Sequence, residues 1–329
     1  MSDRYNLLKN WLSEVMETQD FELKPASEDA SFRSYHRLFL QDKSLIVMDA
    51  PPPEEDCYPF VQISKTLLAS GINVPVIHHM DLRQGFLVLD DFGDTLYLDE
   101  LNSNSVDRLY SDAIKSLVTV QSKTETRDIP VYDEALLRRE MRLFTEWLLA
   151  KYLQIDLSNE ETASINTVFT LLVENALQQP QVFVHRDFHS RNLMITKTNN
   201  PGVIDYQDAV SGPMSYDLVS LLKDCYIKWP KQEIKRWVDI YLQQLSENET
   251  EIDRQTFQRW FDLMGVQRHL KASGIFARLS LRDGKHSFLN DVPRTLSYIV
   301  DLKNDYEELS HLCALIEEKV LPGLEQVSK

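Results

Sequence analysis

Up to about residue 90 the apolar residues fall in short alternating or continuous runs bounded by turn formers, a pattern that predicts strands over 21–26, 31–40, 45–50, 74–78 and 86–89. Two helical periods accompany them, at 4–16 and 58–70. After Gly93 the spacing lengthens to every third or fourth residue, which predicts helices over 106–122, 133–153, 160–178, 216–229 and 257–281. The change of period predicts an α+β protein of two lobes: a small β-rich N-terminal lobe, residues 1–92, and a larger, mainly helical C-terminal lobe, residues 93–329. Leu89-Asp90-Asp91-Phe92-Gly93 is the natural hinge, and no internal repeat or low-complexity tract is visible.

One stretch breaks the helical pattern. His185-Arg186-Asp187-Phe188-His189-Ser190-Arg191-Asn192 has the H-R-D-x-x-x-x-N spacing of a phosphoryl-transfer loop, in which the Asp accepts the proton of the attacking hydroxyl and the Asn holds a metal ion. Downstream, Leu193-Met194-Ile195-Thr196, a turn at Asn199-Asn200-Pro201-Gly202 and Val203-Ile204 read as a hairpin leading to Asp205. The motif assigns Asp187 as the catalytic base, with Asn192 and Asp205 as oxygen ligands for Mg²⁺ beside the phosphates of ATP. Any one of these residues alone reads better as a turn cap, whereas four matched positions in order read as a site.

Composition narrows the partners. The chain has 329 residues, 43% of them hydrophobic, a formal charge of −16 and a pI near 5.0. That balance argues against a nucleic-acid partner or an anionic membrane surface, since both favour a basic face. No apolar run approaches the roughly 20 residues of a membrane span, and Met1-Ser2-Asp3-Arg4 opens without a signal-peptide core. A cytoplasmic protein with no obligate protein partner is the expectation. Cys57, Cys225 and Cys313 are odd in number and far apart, as free thiols are.

The two-lobed plan, the 185–192 loop and Ile204-Asp205-Tyr206-Gln207-Asp208 together resemble the aminoglycoside phosphotransferase and choline kinase family over nearly the whole chain. The resemblance implies a protein-kinase-like fold and ATP-dependent transfer to a small-molecule hydroxyl. Most members have Gly after the motif His, where this chain has Arg186. Ala30–Leu38, Val47–Pro52, Leu137–Glu140 with Phe144 and Trp147, Gln267–Lys271 and Gly274–Leu279 look more particularly like the bacterial anomeric kinases that phosphorylate N-acetylmuramate and N-acetylglucosamine at C1 in peptidoglycan recycling. An aminoglycoside or choline kinase is the alternative within the class, and a nucleotide-binding pseudokinase the alternative outside it.

For the nucleotide, the first lobe lacks G-x-G-x-x-G; Ser31 and Phe32 in the turn after the first strand are expected over the triphosphate, through backbone amides. Met48 stands where a kinase Lys is expected on the third strand. Its charge must then come from Arg33, His36 or Arg37, of which alternation puts the two arginines on one face. Main chain near Asp90 to Phe92 is expected to read adenine, with Ile46 and Leu193 against its ring. For the acceptor sugar, the candidates are Arg138, Glu140, His189, Arg268, His269 and Arg278, with Phe144, Trp147 and Phe276 as stacking surfaces. His185 reads as structural, and Asp217 as a helix cap that also braces the loop.

Overall fold

The computed structural model describes residues 3–28, 32–248 and 250–327. The chain divides into two compact units, Met1–Leu96 with Leu193–Asp208, and Tyr97–Asn192 with Ala209–Lys329.

In the first unit, helix α1 (Asp3–Val15) precedes strands β1 (Glu22–Glu28), β2 (Ser34–Phe39) and β3 (Ser44–Asp49), helix α2 (Tyr58–Ala69), and strands β4 (Ile77–Asp81) and β5 (Phe86–Asp90). The five strands form one antiparallel sheet in the order β1-β2-β3-β5-β4. Strand alternation sends Leu38, Leu45, Val47, Phe86 and Val88 to one face, where they share a core with Leu8, Trp11 and Leu12 of α1. The opposite alternation set includes Arg37, Ile46, Met48, Leu87 and Leu89. The strand expected over 74–78 begins instead at Ile77, because Pro75 has no N–H for a ladder.

The hairpin predicted after Asn192 is part of this unit. Strands β7 (Leu193–Met194) and β8 (Gly202–Val203) pair antiparallel. Ile195 N–H donates to the Thr95 carbonyl at 2.9 Å, and Val203 N–H to that of Asn73 at 2.8 Å. Tyr206 stacks on Phe60 of α2, with ring centroids 4.9 Å apart. A Cβ on Gly202 would come within 2.6 Å of the Phe92 ring, so only glycine admits that ring.

The second unit is mainly helical, with α3 (Tyr97–Glu100), α4 (Val106–Lys123), α5 (Glu134–Leu143), α6 (Asn159–Leu177), α7 (Tyr216–Leu222), α8 (Lys231–Glu247), α9 (Arg254–Asp283) and α10 (Val292–Val300). A two-stranded ladder joins β6 (Gln181–Val184) to β9 (Val210–Pro213) and flanks the 185–192 loop. The single helix expected over 133–153 is α5 followed by a π-helical stretch, Phe144–Tyr152. The change falls where α9 crosses: a Cβ on Gly274 would lie 2.2 Å from the Leu143 carbonyl carbon. The helix expected over 216–229 stops at Leu222, where the chain leaves helical geometry and Asp224 turns its carboxylate to the loop.

Candidate functional site

The 185–192 loop is held from below by two buried aspartates. Asp217 Oδ2 accepts the His185 N–H at 2.6 Å and Oδ1 the Arg186 N–H at 3.0 Å. Asp224 Oδ2 accepts both the N–H and the hydroxyl of Ser190, at 3.0 and 2.5 Å, while its Oδ1 takes the Tyr226 N–H. Asp217 makes no side-chain cap of α7, so the bracing half of its expected role is the one the fold uses. Within the loop, His189 N–H donates to the Asp187 carbonyl, Asn192 N–H to that of His189, and Asn192 Nδ2 to that of Asp187 at 3.0 Å. His185 is buried, its ring edge-on to Phe188, with Nδ1 accepting the Asp187 N–H at 3.3 Å.

Arg186 takes φ 77°, the left-handed region that favours glycine. Its guanidinium pairs with Glu140, which is only 5% exposed and also accepts from Tyr132 and lies 3.5 Å from Lys271 Nζ. Gln267 donates to the Tyr132 hydroxyl and Lys271 to that of Tyr216, so α5 and α9 share one buried polar network. Burial alone would raise the Glu140 carboxyl, but the charges of Lys271 and Arg186 outweigh it and hold it below its ordinary value.

The same cations act on Asp187. Burial would raise its carboxyl, and the charges of Lys271, Arg268 and Arg186 together hold it well below the usual range. Asp187 is therefore a carboxylate at neutral pH, able to orient a hydroxyl and take its proton as charge develops. Burial holds His189 neutral against the pull of Asp224 and Asp187.

The remaining acceptor candidates divide by what already holds them. Glu140 is filled by the network above. His269 is buried, bonded to the Lys223 carbonyl at 2.8 Å and stacked on Tyr298. Arg138 pairs with Glu134 along α5 and reaches Thr170. By contrast, His189 Nδ1, Arg268 Nε and Arg278 Nε are buried without a hydrogen-bond partner. Beside His189, Tyr226 packs edge-on to its ring and carries Arg191 at 3.9 Å from its centroid; Phe276 packs on Tyr226 and Phe288. Phe144 is fully buried, and Lys151 covers Trp147. Asp224 and Tyr226 escaped the motif reading, because nothing in Lys223-Asp224-Cys225-Tyr226 signals a partner more than thirty residues away.

In the first unit, Met48 is fully buried, paired in register with Tyr35 and Leu87. Arg33 Nε lies 3.0 Å from Glu55, and Arg37 lies 2.7 Å from both Asp91 and Asp94. His36 packs edge-on to Tyr5 of α1, and burial lowers its pKa against the attraction of Asp49. Asp90 accepts from His78 and the Val76 N–H, Phe92 covers Gly202, and Phe32 is 69% exposed with its N–H on Glu55. Ser31 lies outside the described residues. Asp205 takes φ 65° and accepts from Gln207 Nε2 at 2.9 Å. Among the described residues no group of three or more His, Cys, Asp or Glu could hold a metal ion. The carboxylate of Asp205 and the amide of Asn192 are hard oxygen donors of the kind that suit Mg²⁺.

A small sheet unit, a helical unit and an H-R-D loop held by buried aspartates define a kinase-type phosphotransferase. Residues 22–255 match the phosphotransferase enzyme family, and the chain belongs to that family. It is 45% identical over 298 residues to an N-acetylmuramate/N-acetylglucosamine kinase of Pseudomonas putida, covering 90% of this chain and 88% of that one. Proteins of the same name from Pseudomonas aeruginosa, 43% identical (96% of this chain, 97% of that one), and Neisseria meningitidis, 41% identical (95% of each), are also similar. Among solved structures, choline kinase LicA from Streptococcus pneumoniae aligns with a TM-score of 0.65 at 14% identity, over 90% of this chain and 99% of that one. Aminoglycoside phosphotransferase APH(2'')-Ib bound to ADP aligns at 0.59 and 16% identity, over 90% and 97%. The chain is a small-molecule kinase transferring phosphate to an alcohol, and no helix among the described residues is long and apolar enough to cross a membrane.

Proposed function

We propose that the protein transfers the γ-phosphoryl group of ATP to the C1 hydroxyl of N-acetylmuramate and N-acetylglucosamine, as a cytoplasmic enzyme of peptidoglycan recycling. The observation that carries this reading is 41–45% identity, over 90% or more of the chain, to three relatives bearing that sugar-kinase name. The charge around Asp187 supports it, since Lys271, Arg268 and Arg186 would repel choline or a polycationic aminoglycoside.

Asp187 orients the sugar hydroxyl and accepts its proton as the oxygen attacks phosphorus, and positioning supplies much of the acceleration. Its low proton affinity suits orientation more than strong base catalysis. Asn192 and Asp205 are the proposed Mg²⁺ ligands; the ion, when bound, neutralises charge on the phosphate oxygens. Main chain at Asp90–Phe92 and the turn carrying Ser31 and Phe32 are proposed to hold the nucleotide, with Arg33 and Arg37 in place of the charge that Met48 lacks. Both arginines already pair with carboxylates, so phosphates would compete with Glu55 and with Asp91 and Asp94.

The test is Mg-ATP with a panel of N-acetylmuramate, N-acetylglucosamine, hexoses, choline and kanamycin, reading ADP release and locating the phosphate by phosphorus NMR. Phosphate on C1 of the N-acetylated sugars is expected, and activity confined to choline or kanamycin would overturn the substrate. Asp187→Asn should lower turnover by at least about a thousandfold while retaining ATP binding. Retained turnover in that variant would sink the mechanism.

A further inference from the structure

A buried charge is costly unless an opposite charge or good hydrogen bonds compensate it. Among the cations near Asp187, buried Lys271 and half-buried Arg186 meet that condition through Glu140. Arg268 does not. It is 4% exposed, lies one turn from Lys271 on α9, and no carboxylate among the described residues comes within 4 Å of it. Its hydrogen bond is from Nη1 to the Cys225 sulfur at 3.5 Å, and its Nε has no acceptor. A thiol is a weak acceptor, and burial pushes the Cys225 thiol up, so it stays neutral and cannot balance the guanidinium. Asp187 and Asp224 act on Arg268 from farther away, and Asp224 is already engaged by Ser190 and Tyr226. Nearby, His189 Nδ1 is also unpartnered, and its ring senses the charge of Arg268.

A planar guanidinium held in this way suits a planar carboxylate from outside the protein. The acceptor can supply one. N-acetylmuramate differs from N-acetylglucosamine by a lactyl ether on O3, close around the ring from C1, so a sugar with its C1 hydroxyl at Asp187 carries its carboxylate nearby. Resting on the sugar-kinase reading, we infer that Arg268 is the receptor for the lactyl carboxylate and sets preference for N-acetylmuramate over N-acetylglucosamine. Without the lactyl group, the neutral sugar leaves Arg268 unpaired, and the site discriminates against it by the desolvation it does not compensate.

The experiment compares N-acetylmuramate, its neutral carboxamide and N-acetylglucosamine as acceptors for the wild-type protein, Arg268→Gln and Arg268→Lys. For the wild type, kcat/KM for the acid should exceed that for the carboxamide by on the order of 100-fold, mainly through KM. In Arg268→Gln the acid and carboxamide should converge, and Arg268→Lys should retain part of the difference. Equal use of acid and carboxamide by the wild type overturns the inference, and that arm needs no variant to fold. A loss in Arg268→Gln that is equal for all three acceptors and lies in kcat also overturns it, placing the guanidinium on the phosphoryl group instead. Failure of the wild type to phosphorylate either sugar overturns the sugar-kinase reading itself, an outcome distinct from phosphorylation without discrimination.

Discussion

Arg186 concentrates two opposed demands at one residue. Its backbone sits at φ 77°, where a side chain costs about 1–3 kcal/mol. What this chain gains is the ion pair with buried Glu140, whose breakage would leave a stranded charge. Asp217 holds the strained turn by accepting two of its N–H groups. Burial pushes the Asp217 carboxyl up to about 6, against the pull of His185 and those hydrogen bonds. It is therefore mostly ionised at pH 7.5 and takes up a proton as pH falls through about 6, when its capacity to accept both N–H groups weakens. The wild-type kcat should fall over that interval. Asp217→Asn, with one acceptor oxygen, should be slower by about tenfold or more at pH 7.5 and should lose that acid limb. A limb unchanged in the variant would assign the titration to another group.

The crossing of α9 over the α5–π junction is what brings Lys271 to Glu140. Gly274 makes it possible, since an added Cβ meets main chain rather than a yielding side chain. Gly274→Ala should therefore destabilise the protein by at least about 1–3 kcal/mol through overpacking, read as a lower denaturation midpoint, although alanine favours an isolated helix. Stability equal to wild type would mean that the helices separate without penalty. This close approach was invisible in the sequence, where the unbroken period over 133–153 reads as one helix. The loop and its hairpin were legible because their polar residues recur at fixed local spacing. Of the acceptors that hold the loop, Asp217 was legible from its place at a helix start, whereas Asp224 was not, because it reaches back more than thirty residues to Ser190 with no local signal. Helix α8 also escaped, lying after Trp229-Pro230 where the preceding helix was drawn too long.

At the scale of the whole molecule, the expected boundary near residue 92 gives way to a discontinuous first unit, which includes Leu193–Asp208. The hairpin supplies Tyr206 to Phe60 and Gly202 to Phe92. A fragment of residues 1–96 should consequently be less stable than the same fragment joined through a short Gly/Ser linker to 193–208. Circular dichroism during thermal unfolding would show it, and identical curves would deny the hairpin any part in that core.

That discontinuity also sets a timetable. During synthesis the first 96 residues leave the ribosome with the Phe60 surface uncovered, and its partner Tyr206 follows more than a hundred residues later. At roughly 5–20 residues per second, the first unit waits on the order of 5–20 s for its last piece. Over that interval the newborn chain is exposed to chaperones and to aggregation in a way the finished protein is not.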